Sequence, residues 1–285
     1  MKFLKRKTLP EIILYSLVSL LFAVVAFTYI YILFWAVMSG AKTHDEIVMN
    51  PFSFPKKWLW SHFVDVTRLL EVNGNGFFDM LFNSCYFSIV GCFIQQFTTI
   101  TFAYCCTKYK FPGSGLPYVI ILIMLTLPIY GAGGAQYKLF RSLGLVDSYW
   151  HVICSAGGMS AQFLYYRAFF KNLSWTYAEA AQIDGAGHFQ IYFKVMLPQA
   201  RPIFGALFLT SWLASWNNYE TALLYLPNLP TLPVGIYQFN TEMMYRARLD
   251  ILFAACVLVS IPALLLFIAF NKVITTNVSL GGIKG

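Results

Sequence analysis

Charge is what this chain has least of: 11% of its 285 residues are Asp, Glu, Lys or Arg, where soluble domains carry about a quarter. With 58% hydrophobic residues and a mean hydropathy of +0.62, a water-soluble domain of this length would expose large apolar patches, so that class is excluded. Acid is scarcer than base, 12 residues against 20, for a formal charge of +8. The Lys and Arg lie between long apolar runs and form no single stripe, which argues against a nucleic-acid surface. The four histidines, His44, His62, His151 and His188, fall in separate segments without an H-E-x-x-H pattern, and no carboxylate pair sits in an apolar run. Metal and acid-base catalysis therefore have no motif here. The six cysteines, Cys85, Cys92, Cys105, Cys106, Cys154 and Cys256, lack C-x-x-C spacing and read as small packing residues. Gly131-Ala132-Gly133-Gly134 is not completed by Gly-Lys-Ser/Thr, so no phosphate cradle is present and the glycines read as helix-contact positions.

What the chain has instead is long apolar stretches. A bilayer core of about 30 Å takes roughly 20 helical residues. Six charge-free stretches approach or exceed that length, residues 12–37, 80–107, 111–137, 148–166, 202–219 and 251–271, the shortest having 18 residues. The first is preceded by Lys2, Lys5, Arg6 and Lys7, but it is longer than a signal-peptide core and no small-residue cleavage site follows, so it is expected to stay as a helix. The expectation is an all-α integral membrane protein of six transmembrane helices forming a single transmembrane domain, 1–285, with a first helix at 12–37 and a core at 78–271. Lys and Arg near span ends orient such a protein. A cytoplasmic N-terminus puts twelve of the 20 inside, among them Lys108, Lys110, Arg167, Lys171, Lys194, Arg201 and Lys272, with residues 171–201 and the 272–285 tail on the same side.

The 171–201 segment is patterned beyond a linker. Ala-rich residues 175–184 favour a helix, Gly185 permits a sharp turn, residues 189–196 resume a helix, and Pro198 is expected to end it. Ala180, Ala181 and Ile183 on the first helix, with Phe189, Phe193 and Met196 on the second, would form an apolar face that needs a protein cover.

The spacing Glu179-Ala180-Ala181, three residues, Gly185, nine residues, Val195, then Leu197-Pro198 resembles the coupling loop of ATP-binding-cassette (ABC) importer permeases. Lys110-Phe111-Pro112-Gly113, Leu143-Gly144-Leu145-Val146-Asp147-Ser148-Tyr149-Trp150, Trp216-Asn217-Asn218-Tyr219 and Thr231-Leu232-Pro233-Val234-Gly235 are similar to segments of carbohydrate permeases, specifically the second permease subunit of maltose-type importers. The resemblance implies a MetI-like permease fold. It implies a related second permease, two ATPase subunits that hold ATP and Mg, and an extracytoplasmic solute-binding protein, with no cofactor in this chain itself. It also implies that Glu179, Ala180, Ala181, Asp184, Gly185, Leu197 and Pro198 belong to the ATPase-coupling segment, that Glu179 pairs with an Arg of the ATPase, and that the Gly281, Gly282 and Lys284 ending reaches the ATPase dimer. The chain departs from the family in having Ser174, followed by Trp175 and Tyr177, where Pro is common.

Trp212 and Trp216 are spaced i, i+4, hence on one helix face, with Asn217, Asn218 and Glu220 just beyond. An aromatic face beside amides suits a sugar, and the same residues equally suit a membrane-interface belt. Asn83, with Gln95, Gln96 and Gln162, is open between the translocation pathway and interhelical hydrogen bonding. Rival readings are a permease for a peptide or an ion, and an intramembrane enzyme or channel. The last two predict a polar dyad or a repeated pore ring, and neither is visible in the sequence.

Overall fold

The computed structural model describes residues 9–127, 133–246 and 248–278, with side chains to residue 269. The Gly281, Gly282 and Lys284 ending lies outside the described residues. Among those described, the chain is helical without strands. It runs α1 (Leu9–Gly40), α2 (His44–Met49), α3 (Ser61–Leu69), α4 (Phe77–Lys108), α5 (Leu116–Thr126), α6 (Gly133–Ser142), a 3-10 segment (Tyr149–Ser155), α7 (Gln162–Asn172) and α8 (Thr176–Ile183). It continues with α9 (His188–Gln190), a π-helical segment (Ile191–Met196), α10 (Leu197–Gln199), α11 (Arg201–Trp216), α12 (Tyr219–Tyr225), α13 (Leu232–Tyr245) and α14 (Leu249–Val278).

Among the described residues, three helices are long and apolar enough to cross a membrane: α1, α4 and the Leu249–Ala269 part of α14. They coincide with the first, second and sixth expected spans. The other three apolar stretches are interrupted, for local reasons. In the third, α5 stops at Thr126 and α6 is amphipathic, carrying Lys138 and Arg141. In the fourth, the Gly157-Gly158 pair separates the 3-10 segment from α7. In the fifth, α11 ends at Trp216 because Asn218 takes extended backbone angles and accepts the Thr221 N–H at 3.0 Å, capping α12.

The chain forms two compact units. The larger, Leu70–Gln238 with Ile261–Gly285, is built around α4, against which α7, α11 and the 3-10 segment all pack. Small residues permit that approach: a Cβ at Gly91 would sit 3.2 Å from Ser155 Oγ. The core joins Ile100, Ala103 and Tyr104 of α4 to Phe163, Tyr166 and Phe170 of α7, and then to Ala178, Ile191, Tyr192 and Met196 from the 171–201 segment. Gly235 lets the first turns of α13 lie on Met80, whose Sδ would be 2.8 Å from an added Cβ, while the Leu232 N–H donates to Ser84 Oγ at 2.7 Å. Asp147, in a left-handed conformation (φ 58°), accepts the Asn228 N–H at 2.8 Å, and its own N–H donates to the Tyr225 carbonyl.

The smaller unit, Met1–Leu69 with Phe239–Ser260, holds the end of α1 on the start of α14. Gly40 meets Ala254 so closely that a Cβ would lie 2.9 Å from its backbone. His62 donates from Nδ1 to the Gly40 carbonyl at 3.0 Å and approaches Asp250 at 3.5 Å, and Asp250 also receives a two-pronged Arg248. Lys42 is fully buried and donates to the carbonyls of Asn50 and Pro51, both at 3.1 Å. Burial lowers its pKa, with Glu46 acting in the opposite direction.

Candidate functional site

Two features of the larger unit bring the sequence-predicted residues together. The first is a helical hairpin. Ser174 Oγ accepts the Thr176 N–H at 3.2 Å and so starts α8, a local task for the residue that departs from the family pattern. After Ile183 the chain reverses through Gly185 at φ +79°. The Ala186 N–H returns to the Ala181 carbonyl and the Gly185 N–H to Gln182, both at 2.9 Å, which closes the helix with a Schellman motif that requires the left-handed glycine. The return arm is helical from His188 to Gln199.

That return arm corrects the expected helix end at Pro198. Proline lacks an N–H and crowds the carbonyl four residues back. Here the preceding turn widens to π-helical spacing, the Leu197 N–H bonding to the Tyr192 carbonyl five residues earlier, and Pro198 falls in the first turn of α10. The helix passes through the proline by changing register.

The hairpin has a buried base and an exposed tip. Ala178 and Met196 are fully buried, and Ile191 and Tyr192 nearly so. Met196 therefore belongs to the core and not to the expected exposed face. Tyr192 and Thr101 share a hydrogen bond of 2.7 Å, the Lys108 ammonium donates to the Leu173 carbonyl, and Tyr109 meets His188 Nδ1 at 3.1 Å. The tip carries Ile183 at 87% exposure and Phe189 at 81%, beside exposed Glu179, Ala180 and Asp184. Ala181, Leu197 and Pro198 are half-buried. No ion pair reaches Glu179 among the described residues.

The second feature is a cavity of about 380 Å³ lined by parts of α4, the 3-10 segment, α7, α11, α12 and the approach to α13. Its wall includes Trp216 and Asn218, together with Ser84, Ser88, Gln95, Ser155, Gln162, Ser211, Ser215, Thr221 and Thr231. The wall follows the helix breaks. Ser155 and Gln162 flank the Gly157-Gly158 interruption, and Ser215, Trp216 and Asn218 flank the end of α11. The breaks and the polar side chains of the wall therefore occur together.

The remaining pathway candidates sit outside the cavity wall. Trp212 stacks on Trp216, ring centroids 5.1 Å apart, but is fully buried behind it, its indole N–H without a partner among the described residues. Asn83 spends its amide in a clasp, donating to the Pro230 carbonyl at 3.1 Å and accepting the Tyr149 hydroxyl at 3.1 Å. Asn217 donates to the Leu213 carbonyl on its own helix. Gln96, fully buried, and Gln162 both donate to Ser211 Oγ, at 2.7 and 2.8 Å, and Tyr166 donates to Gln96, so one polar node ties α4, α7 and α11. The sequence reading passed over Ser211 and Thr231; the available signal was a scatter of hydroxyl residues inside otherwise apolar stretches.

Comparison with known proteins adds a family. Residues 111–279 match the model of the binding-protein-dependent transport system inner membrane component. The arabinooligosaccharides transport system permease protein AraQ of Bacillus subtilis is 26% identical over 97% of this chain and 98% of its own length. The diacetylchitobiose uptake system permease protein NgcG of Streptomyces coelicolor is 29% identical, covering 87% of this chain and 82% of that one. The fold is similar to a chain from the crystal structure of a bacterial ABC transporter involved in the import of the acidic polysaccharide alginate, with a TM-score of 0.76, 19% identity, and coverage of 93% of this chain and 98% of that one. The family match spans more than half of the sequence and takes in the hairpin and every part of the cavity wall except that from α4, so this chain belongs to the binding-protein-dependent transport system inner membrane components, the permeases of ABC importers.

Proposed function

We propose that this chain is the permease subunit of an ATP-driven importer that carries a sugar or oligosaccharide into the cell. A related permease completes the pathway, two ATPase subunits lie beneath, and an extracytoplasmic binding protein delivers the substrate. The observation that carries the coupling role is the hairpin: a tip with two large apolar side chains and a free carboxylate, on a base locked into the core of the larger unit. Such a tip needs a protein cover, and its base would transmit a push from that cover to α4. The sugar assignment draws on the cavity, where hydroxyls and amides adjoin Trp216, and on the named substrates of AraQ and NgcG.

In this reading α1, α4 and α14 cross the membrane as single helices. Three further crossings are assembled from α5 with α6, from the 3-10 segment with α7, and from α11 with α12, giving six. The N-terminus, residues 171–201 and the 272–285 tail face the cytoplasm. Closure of the ATPases on ATP shifts the hairpins and with them the balance between inward-open and outward-open states, with no covalent step in this chain. The test is uptake of labelled oligosaccharides into proteoliposomes bearing both permeases, with the binding protein, with and without the ATPase and ATP. ATP-dependent accumulation is expected. Accumulation of peptides or inorganic ions to the exclusion of sugars, or uptake without the ATPase, would overturn it.

A further inference from the structure

In the smaller unit, the loop that follows α1 folds back along that helix instead of leaving it. Buried Lys42 holds the carbonyls of Asn50 and Pro51, and the Trp35 indole N–H donates to the Pro51 carbonyl at 2.8 Å. The Phe52 ring lies against Trp35 and the Phe54 ring against Phe34, with centroids 6.4 and 6.3 Å apart. The Leu59 N–H then returns to the Ala41 carbonyl at 2.9 Å. Phe34 precedes the Gly40 end of α1 by six residues, so at a rise of about 1.5 Å per residue Phe54 sits about 9 Å back from that end.

The fold-back turns apolar side chains outward. Val48, Met49, Phe52, Phe54, Trp58 and Trp60 are all exposed, Phe52 at 71% and Phe54 at 69%, and Trp58 stacks on Trp60 with ring centroids 5.4 Å apart. Lys56 and Lys57 stand among them, both exposed, with no ion-pair partner among the described residues. No Asp or Glu occurs from Val48 to Trp60, so the segment carries only positive charge.

Such a patch needs a cover, and α1 bears on which. From Leu9 to Phe34 every residue of α1 except Tyr31 is exposed, as befits a helix surrounded by lipid. Phe52 and Phe54 continue that apolar flank at the level of Phe34 and Trp35, below the Ala41 level that a water-soluble partner would meet. Rings at the depth where a spanning helix leaves the hydrocarbon, followed directly by lysines, match the layering of a bilayer edge, in which acyl chains give way to phosphates.

We propose that residues 48–60 are an interfacial anchor in the leaflet at the Gly40 end of α1, with Phe52 and Phe54 among the acyl chains and Lys56 and Lys57 binding the phosphate of an anionic lipid headgroup. The inference depends on α1 crossing the membrane and not on the solute carried, so import of peptides or ions would leave it standing.

The experiment uses the assembled importer in a cysteine-free background, with a polarity-sensitive dye on S53C, between the two phenylalanines. Vesicles are of phosphatidylcholine alone or in equal mixture with phosphatidylglycerol. The dye should be shielded from aqueous iodide and quenched by nitroxides placed high on the acyl chain, and F52S/F54S should reverse both results. In the mixture, nitroxide-labelled phosphatidylglycerol should quench at about a fivefold lower concentration than labelled phosphatidylcholine, the share of one near-surface lysine, and K56Q/K57Q should erase the difference. A dye open to iodide and unquenched by lipid overturns the anchor. Shielding from iodide without quenching by lipid assigns the patch to a protein cover and overturns it as well. Equal quenching by the two lipids, or a preference that survives K56Q/K57Q, overturns the headgroup assignment.

Discussion

Ile183 and Met196 lie on the same hairpin and are both large and apolar, yet they should fail in opposite ways. Ile183 is 87% exposed, so Ile183→Ser should change the stability of the permease by less than about 0.5 kcal/mol. If an ATPase covers the tip, burial of this side chain contributes about 1.5–3 kcal/mol to assembly. Loss of about 2 kcal/mol raises the dissociation constant roughly 30-fold. Met196 is fully buried among Tyr104, Phe163, Tyr166 and Tyr192, so Met196→Ala should cost about 2–5 kcal/mol of stability through lost contact and a residual void. The assay pairs thermal unfolding of the permease pair in nanodiscs with titration of the purified ATPase. Ile183→Ser should leave the melting temperature in place and weaken ATPase binding, while Met196→Ala should lower the melting temperature. An unchanged ATPase affinity in Ile183→Ser, or equal destabilisation by both, would refute the division of the hairpin into core-bound base and docking tip.

The hairpin geometry yields three more expectations. Gly185→Ala places a Cβ on a residue at φ +79°, costing about 1–2 kcal/mol, and should slow uptake with the complex still assembled; normal uptake kinetics would show that the turn angle is unimportant. Glu179→Ala should weaken co-purification of the ATPase by about 2–5 kcal/mol if its partner cation is buried at the interface, and a matching Ala substitution of that Arg should add little further loss in a double-mutant cycle. A single cysteine at exposed Gln190, in a cysteine-free background, should resist a membrane-impermeant thiol reagent in intact cells and react after permeabilisation; labelling of intact cells would invert the proposed orientation.

Much of the fold was legible because long charge-free runs have one solution in lipid. Residues 12–37, 80–107 and 251–271 lie within α1, α4 and α14. The other three runs were legible as apolar but not as broken. In the fourth and fifth runs the interruptions fall at Gly157-Gly158 and at the Asn218 cap, beside the polar cavity. The Gly185 turn could be read from its own residue type, since the glycine stands directly after an Ala-rich helix. Passage through Pro198 could not, because it depends on the π-helical register of Ile191–Met196, a property of the packed base. Met196 carries the same lesson: local pattern put it on the hairpin's exposed apolar face, and it is buried in the core formed with α4 and α7.

The central claim, that the 171–201 hairpin is where ATP hydrolysis meets this permease, is tested most directly by a photo-crosslinking residue placed at position 183 in the assembled importer. The account predicts a covalent product with the ATPase subunit that changes in yield between nucleotide-free and ATP-bound complexes, and no such product from a probe at Leu122 in α5. A probe at 183 that labels the extracytoplasmic binding protein, or lipid alone, would contradict it.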